Sequence, residues 1–285
     1  MMRKIVLVLL IALCARVFAQ SGAGYYVSAN GNDNNDGLSE NTPFKTLDLA
    51  IFSVRLTGAN KITVIGTLTI ENSEFEKGDD TVFFLIGSDG GGELLITGKP
   101  GISGAERAVL SGRGSGAIAA WVLLGNVRFE HIEISGGEGE DAVGLIISSG
   151  AKVSLGPGAV VLGNQSFGVY ISEGTCAIDG GEVRDNAATG VAVGGKGILT
   201  MRGGSIRDNR SPNNAGGVFV AEGGIFTMYG GTVSGNSAVQ AGGGVVVRSG
   251  GRFDQIGGTV SGNSAPQSPD VSRSSGSLGS DLVTR

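Results

Sequence analysis

The chain has 285 residues, 53 of them glycine and six proline, with 40% hydrophobic content and a formal net charge of −5. That acidic balance excludes a nucleic-acid partner held by bulk charge. Glycine at this level suits a disordered low-complexity chain, but the apolar content and the regular placing of the glycines argue for a buried core.

Residues 1–19 read as a signal peptide, with Arg3 and Lys4 at the start, an apolar stretch from Ile5 to Leu13, and Val17-Phe18-Ala19 before Gln20. The stretch falls short of the roughly 20 residues that a membrane helix needs. No later segment is long and apolar enough, so no transmembrane segment is expected in the mature chain. Export is expected, to the periplasm, the outer surface or the medium. A lipoprotein reading would acylate Cys14, but Leu13 is bulky where a small residue should precede it. Cleavage after Ala19 removes Arg3, Lys4 and Arg16 and no acid, leaving 18 basic against 26 acidic residues, a net charge near −8. Cys176 is then the sole cysteine, so burial and backbone pairing must hold the fold without an internal disulfide.

Residues 20–60 form an expected cap preceded by an Asn/Asp-rich loop. Asn32, Asn34 and Asp36, followed by Gly37, place oxygen donors at alternate positions, like the start of a calcium loop. Position twelve is Pro43, where an EF-hand has its bidentate glutamate. Asx-turn chemistry accounts for the same residues with no metal. Ca2+ is therefore the one cofactor the sequence raises. Pro43 to Phe52 reads as a short amphipathic helix, begun near Thr42 and Pro43, that plugs the front of the core.

Residues 61–263 repeat. The heptads GGEVRDN (180–186), GGSIRDN (203–209), GGTVSGN (230–236) and GGTVSGN (257–263) share a frame, and GAVVLGN (158–164) is a worn copy. Their closing asparagines, Asn164, Asn186, Asn209, Asn236 and Asn263, are 22, 23, 27 and 27 residues apart. Between heptads come a glycine with a short apolar strand, as in Gly168-Val-Tyr-Ile171, and a second segment with apolar residues at alternate positions. The latter pairs are Val153 with Leu155, Cys176 with Ile178, Ile198 with Thr200, Ile225 with Thr227 and Phe253 with Gln255. Three short strands per repeat cannot bury their apolar side alone, whereas stacked repeats can. The fold class is therefore all-β, a single right-handed parallel β-helix with three short strands per coil. Degenerate early coils are read in Lys61 to Ile70, Thr81 to Ile86, Leu94 to Thr97, Ala108 to Leu110 and Trp121 to Ile134. At about 25 residues and 4.8 Å per coil, roughly eight coils span near 40 Å. Residues 264–285, rich in Ser, Gly and Pro, read as a flexible tail or an adapted cap.

The opening Tyr25-Tyr-Val-Ser-Ala-Asn-Gly-Asn-Asp-Asn-Asn-Asp-Gly37, with Thr42-Pro-Phe-Lys-Thr-Leu47, resembles the N-terminal signature of bacterial β-helix proteins of the pectate-lyase-like superfamily. The heptads resemble the GG and asparagine repeats of polymorphic outer-membrane-protein-like surface proteins. These resemblances imply the fold and a cell-surface context. The superfamily they point to holds lyases, hydrolases, epimerases and adhesins, so they imply no single activity.

The five asparagines at one repeat position are expected to stack as a structural ladder. Arg184 with Asp185 and Arg207 with Asp208 occupy equivalent slots in adjacent coils, about 5 Å apart. Such a wall offers a base and carboxylates for β-elimination on an acidic sugar, or simply two surface ion pairs. The ion-pair reading is favoured because the next coils carry Ser and Gly there. His131, the only histidine, falls in the alternating stretch Arg128 to Ile134 and is expected to face outward from a strand. Glu106, Arg107, Arg113, Arg128, Glu130, His131 and Glu133 concentrate polar groups on the irregular coils. Trp121 with Tyr170 or Tyr229 are candidates for stacking on sugars. The leading expectation is a secreted or surface, non-catalytic, adhesin-like β-helix binding a polysaccharide or cell-surface glycan. The alternative is a polysaccharide lyase using Arg184, Asp185, Arg207, Asp208, Arg107 or His131.

Overall fold

The computed structural model describes residues 24–70, 92–102, 107–112, 116–136 and 141–280. The expected leader at 1–19, the strand expected at Thr81 to Ile86, and Glu106 and Arg113 lie outside them. Among the described residues the chain is an all-β parallel solenoid with one helix.

Each coil contributes to three faces. The first face climbs from Tyr25–Ser28 through Lys61–Ile65, Glu93–Thr97, Asn126–Glu130 and Lys152–Leu155 to Arg252–Gln255. The second runs from Thr67–Ile70 through Ala108–Gly112 and Ile132–Ser135 to Thr259–Ser261. In two coils a single strand, Thr175–Arg184 or Ile198–Arg207, serves both faces. The third face is a seven-stranded sheet from Ile118–Val122 through Val143–Ser148, Val169–Ser172, Val191–Gly194, Val218–Val220 and Val245–Val247 to Val271–Arg273. Seven strands enclose about six complete turns. The expected eight overcounts because the earliest coils put described strands only on the first two faces.

Parallel pairing aligns each core residue with its counterpart one coil on. On the first face Val127, Val153, Cys176, Leu199, Phe226 and Phe253 form one inward stack. On the second, Leu110, Ile134, Val161, Val183, Ile206 and Val233 form another. The rings of Phe226 and Phe253 stack with centroids 4.7 Å apart and planes 13° from parallel, at the spacing of adjacent strands. Each large side chain buried in such a stack contributes about 1.5–3 kcal/mol.

Two expected pairs are out of phase by one residue. Leu199 with Met201 and Phe226 with Met228 point inward, whereas Ile198 is 37% exposed and shares the outer side with Thr200. Every residue of Ile198–Met201 except Thr200 is apolar, so alternation alone does not mark the core side, and the stacking against Cys176 and Ile178 decides it.

The asparagine ladder is present and complete. Nδ2 of Asn164 donates to Oδ1 of Asn186 at 2.7 Å, Asn186 to Asn209 at 2.7 Å, Asn209 to Asn236 at 2.8 Å and Asn236 to Asn263 at 3.0 Å. Each accepting Oδ1 also takes the backbone N–H of the preceding ladder residue. From Asn186 onward Nδ2 also reaches a main-chain carbonyl one coil back, as from Asn236 to Ile206 at 2.9 Å, whereas Asn164 reaches Leu162 in its own coil at 3.1 Å. At the top, Gly136 N–H donates to Oδ1 of Asn164. At the bottom, Asn263 Nδ2 donates to Oδ1 of Asp270 at 3.0 Å.

The recurring glycine before each third-face strand belongs to this ladder. A Cβ on Gly168 would stand 2.7 Å from Nδ2 of Asn186, and one on Gly190 2.7 Å from Nδ2 of Asn209. The two strongest repeat signals are thus opposite sides of a single close contact.

Residues 264–280 close the solenoid, in place of the flexible tail that their composition suggests. Val271–Arg273 pairs with Val245–Val247. Arg273 takes the inward slot occupied by Val247 one coil earlier. Its guanidinium lies 5.4 Å from the centre of the Phe253 ring and donates to the carbonyls of Leu278 at 3.0 Å and Phe253 at 3.1 Å. At the front, the helix runs Leu47–Thr57, later than the expected Pro43 to Phe52. Phe44 instead bridges to Val27 and stacks on Tyr25, so helix formation waits until the chain leaves that edge.

Asn209→Ala would orphan buried groups on both neighbouring coils at about 1–3 kcal/mol each, so a loss of at least about 3 kcal/mol is expected in urea denaturation. Burial, and then the Asp179 carboxylate, push the Cys176 thiol up to about 12, against 9.0 for a free thiol. The folded chain therefore holds this proton longer than the unfolded chain. The thiol's effect on stability is flat below pH 9 and negative as pH rises from 9.0 toward about 12. The expected slope reaches about 1.4 kcal/mol per pH unit, read from urea midpoints, and Cys176→Ala, from a lower baseline, loses it.

Candidate functional site

The second face carries the charged wall. Arg184 and Arg207 are register partners in adjacent coils, as their spacing predicts. Glu182 lies between them: its Oε2 is 3.2 Å from Nε of Arg184 and accepts from Nη2 of Arg207 at 2.9 Å. Each arginine also bonds the aspartate that follows it, Arg184 to Asp185 and Arg207 to Asp208, the latter at 2.8 Å. The hydrogen bond to Asp208 is the largest influence on Arg207 and raises its pKa, with Glu182 adding to the effect. β-Elimination needs a base that gives up its proton, and this environment moves the guanidinium the opposite way.

Asp185 and Asp208 have a backbone role as well. Their φ angles are 54° and 57°, and Gly163, Gly235 and Gly262 hold the same slot in other coils with φ near 70°. The position before each ladder asparagine must be left-handed, which aspartate tolerates and glycine adopts freely. That explains the exchange of Asp for Gly along the repeat.

His131 does not lie within a strand. It is a corner residue with φ 49° between Asn126–Glu130 and Ile132–Ser135, and its N–H donates to Pro157 O at 3.0 Å. The strand reading fails because the chain must turn from the first face to the second there. The imidazole packs over Gly158, where an added Cβ would meet Nδ1 at 2.6 Å. Arg107 joins it by donating from Nη2 to Gly158 O at 3.0 Å, with Nη1 3.8 Å from Oε2 of Glu133. Arg128, also held protonated by its bond to Glu130, is instead part of a relay on the first face. Arg128 reaches Ser154 Oγ at 3.3 Å, Ser154 reaches Asp179 at 3.1 Å, and Arg202 reaches Asp179 at 3.0 Å, across four successive coils.

The oxygens of the Asx loop are engaged in turn hydrogen bonds. Oδ1 of Asn32 accepts from the backbone and side-chain nitrogens of Asn34 at 3.0 and 3.1 Å. Oδ1 of Asp36 accepts from Leu38 N and Thr42 Oγ1 at 3.0 and 2.7 Å. Asp33 is spent on Lys45 N, Thr46 N and Thr46 Oγ1. These bonds tie the loop to the residues just before the helix. Among the described residues no three His, Cys, Asp or Glu side chains gather as for a metal, and no helix is long and apolar enough to cross a membrane.

Trp121 and Tyr170 do share a site. The third-face register runs Trp121, Ile146, Tyr170, Ala192, Phe219 and Val246, one residue per coil; Trp121, Ile146, Tyr170 and Phe219 are partly exposed, whereas Ala192 and Val246 are buried. Phe167 stacks on Tyr170 with centroids 5.7 Å apart, and Nε1 of Trp121 donates to Ser148 Oγ at 2.8 Å. Tyr229 is absent from this row and stands 54% exposed at the turn after Ile225–Met228. Sequence reasoning missed Phe219 and the row itself. The available signal was the middle residue of each Gly-x-x-x strand, which must face out if its neighbours face in. No family model, curated protein or solved structure matches the chain.

Asp185→Gly is expected to change stability by less than about 1 kcal/mol, the upper value of an exposed ion pair. Asp185→Val, with a branched side chain in a left-handed slot, is expected to cost about 1–2 kcal/mol more, and urea midpoints of the two variants check the difference.

Proposed function

We propose that this chain is an exported, non-catalytic β-solenoid that uses its wall to bind glycan or other surface molecules, as an adhesin does. The observation that carries the reading is the third-face row. Where one side of a sheet meets water, its outward positions are usually polar, yet here the partly exposed Trp121, Ile146, Tyr170 and Phe219 share one register row, in which Ala192 and Val246 are buried. A partly exposed apolar strip of this kind, interrupted at Ala192, supports an interaction surface. The expected leader supports export. The resemblance to pectate-lyase-like β-helices and to outer-membrane surface proteins supports a carbohydrate-rich setting. The engagement of Arg184 and Arg207 by carboxylates argues against chemistry on the second face.

One observation favours the alternative, a polysaccharide lyase or related carbohydrate-active enzyme. Arg107, His131 and Glu133 converge around Gly158 on the irregular coils. Incubating the purified mature chain with polygalacturonate and with neutral polysaccharides, with and without calcium, separates the two readings. Retained sugar with no new unsaturated or reducing ends is expected. Cleavage that disappears in Arg107→Ala would establish the enzyme, and the absence of both binding and cleavage would sink both readings.

A further inference from the structure

We infer that the third face binds a neutral, extended polysaccharide chain lying parallel to the solenoid axis, with Trp121, Tyr170 and Phe219 as successive stacking platforms. This rests on the glycan-binding reading above and assigns it a face, a direction and a ligand charge.

The direction follows from the register. Trp121 and Tyr170 are separated by one intervening coil, that of Ile146, and Tyr170 and Phe219 by that of Ala192. At about 4.8 Å per coil, successive rings stand about 10 Å apart along the axis. A ligand that uses more than one ring must repeat on that length. A linear polysaccharide in an extended linkage does so every two sugars, whereas a protein surface has such a period only when it is itself a solenoid, as in a second copy of this chain. The apolar C–H face of a pyranose matches an aromatic ring, and its equatorial hydroxyls reach the polar rim, here Ser148, Ser172 and the Tyr170 hydroxyl.

Two of the platforms are held in advance. The Trp121 indole is tied to Ser148 in the next coil at 2.8 Å, and the Tyr170 ring is paired with Phe167. Rings already fixed lose little freedom on binding. At Phe219 the Arg248 guanidinium lies 5.7 Å from the ring centre, where it offers donors to the hydroxyls of a sugar.

The ligand charge follows from what the face contains. Across the six strands from Ile118–Val122 to Val245–Val247 there is no Asp, Glu, Lys or Arg. The turns that leave these strands carry Glu173, Lys196, Glu222 and Arg248, two of each sign, on a chain whose net charge is −5. A polyanion finds no cationic track here and meets a repelling overall field, so complementarity selects an uncharged chain.

Trp121 is the only tryptophan, so its fluorescence reports on this face alone. The mature chain is titrated with hydroxyethylcellulose as the neutral probe and polygalacturonate as the acidic one, alongside affinity electrophoresis in gels containing each. A saturable fluorescence change with hydroxyethylcellulose only is expected. Tyr170→Leu and Phe219→Leu, which keep apolar volume but remove a ring face, are each expected to weaken it roughly fivefold to tenfold. Tyr229→Ala, at a different corner, is the control and should leave binding unchanged. A preference for polygalacturonate, or neutral binding untouched by both leucine variants, overturns this assignment while leaving glycan binding elsewhere on the wall. No retardation in either gel overturns the glycan-binding reading too. A fluorescence change that follows protein concentration in the absence of sugar assigns the face to a second copy of the chain and also overturns the inference.

Discussion

The contact between a ladder asparagine and the glycine facing it sets the geometry on which the other features depend. Each amide is buried, bonded to the coil on either side and to a backbone carbonyl, and it occupies the space that a Cβ on the facing glycine would need. A register slip of one residue would put a branched side chain against an amide with no partner, a cost of a buried unsatisfied group plus a steric clash. Successive coils of different length, with ladder spacings of 22, 23, 27 and 27 residues, are therefore forced back into phase at this corner. The extra residues lie between the ladder and the next strand and stack on their counterparts, as Arg210–Ser211 does on Ser237–Ala238.

From that phase the remaining rows follow. Inward positions stack like on like, which lets Phe226 lie on Phe253, and the slot before each asparagine must turn left-handed. The ends need separate devices, because a parallel sheet exposes unpaired edges wherever it stops. At the front, Phe44 and the helix Leu47–Thr57 cover the first coil. At the other end, Asp270 replaces the next asparagine as acceptor, and Arg273 places a charge over the last core ring. An inward arginine in a valine row ends the apolar column and makes further stacking on it unfavourable.

The same regularity sorts the surface by chemistry. On the first and second faces, charged side chains bond across coils, Arg128 through Ser154 to Asp179 and Arg207 to Glu182. From Ile118–Val122 to Val245–Val247 the third-face strands have no such groups and instead align rings and aliphatic chains. The solenoid therefore carries bonded charges on two sides and a row of partly exposed rings on the third, each held by a neighbour: Trp121 by Ser148, Tyr170 by Phe167 and Phe219 by Arg248. Arg107, His131 and Glu133 around Gly158 bring polar groups together off the regular pattern, at a corner in the early coils.

Much of this was legible in the amino-acid sequence. A repeat of 22 to 27 residues with short apolar strands has no means of burying its apolar side except by stacking. Asparagines recurring at one position of such a repeat have no better use than a ladder. The parallel solenoid, the ladder and the pairing of Arg184 with Arg207 were therefore determined by the sequence alone. Only the tertiary structure decided the inward side of Ile198–Met201 and Ile225–Met228, where apolar residues fall on both sides of the strand and stacking on the neighbouring coil breaks the tie. It also decided that His131 turns a corner, that the Ser- and Gly-rich tail closes the core, and that Trp121, Tyr170 and Phe219 share one wall. Each of these depends on contacts between residues more than twenty positions apart, and local periodicity carries no record of which distant side chain will stand opposite.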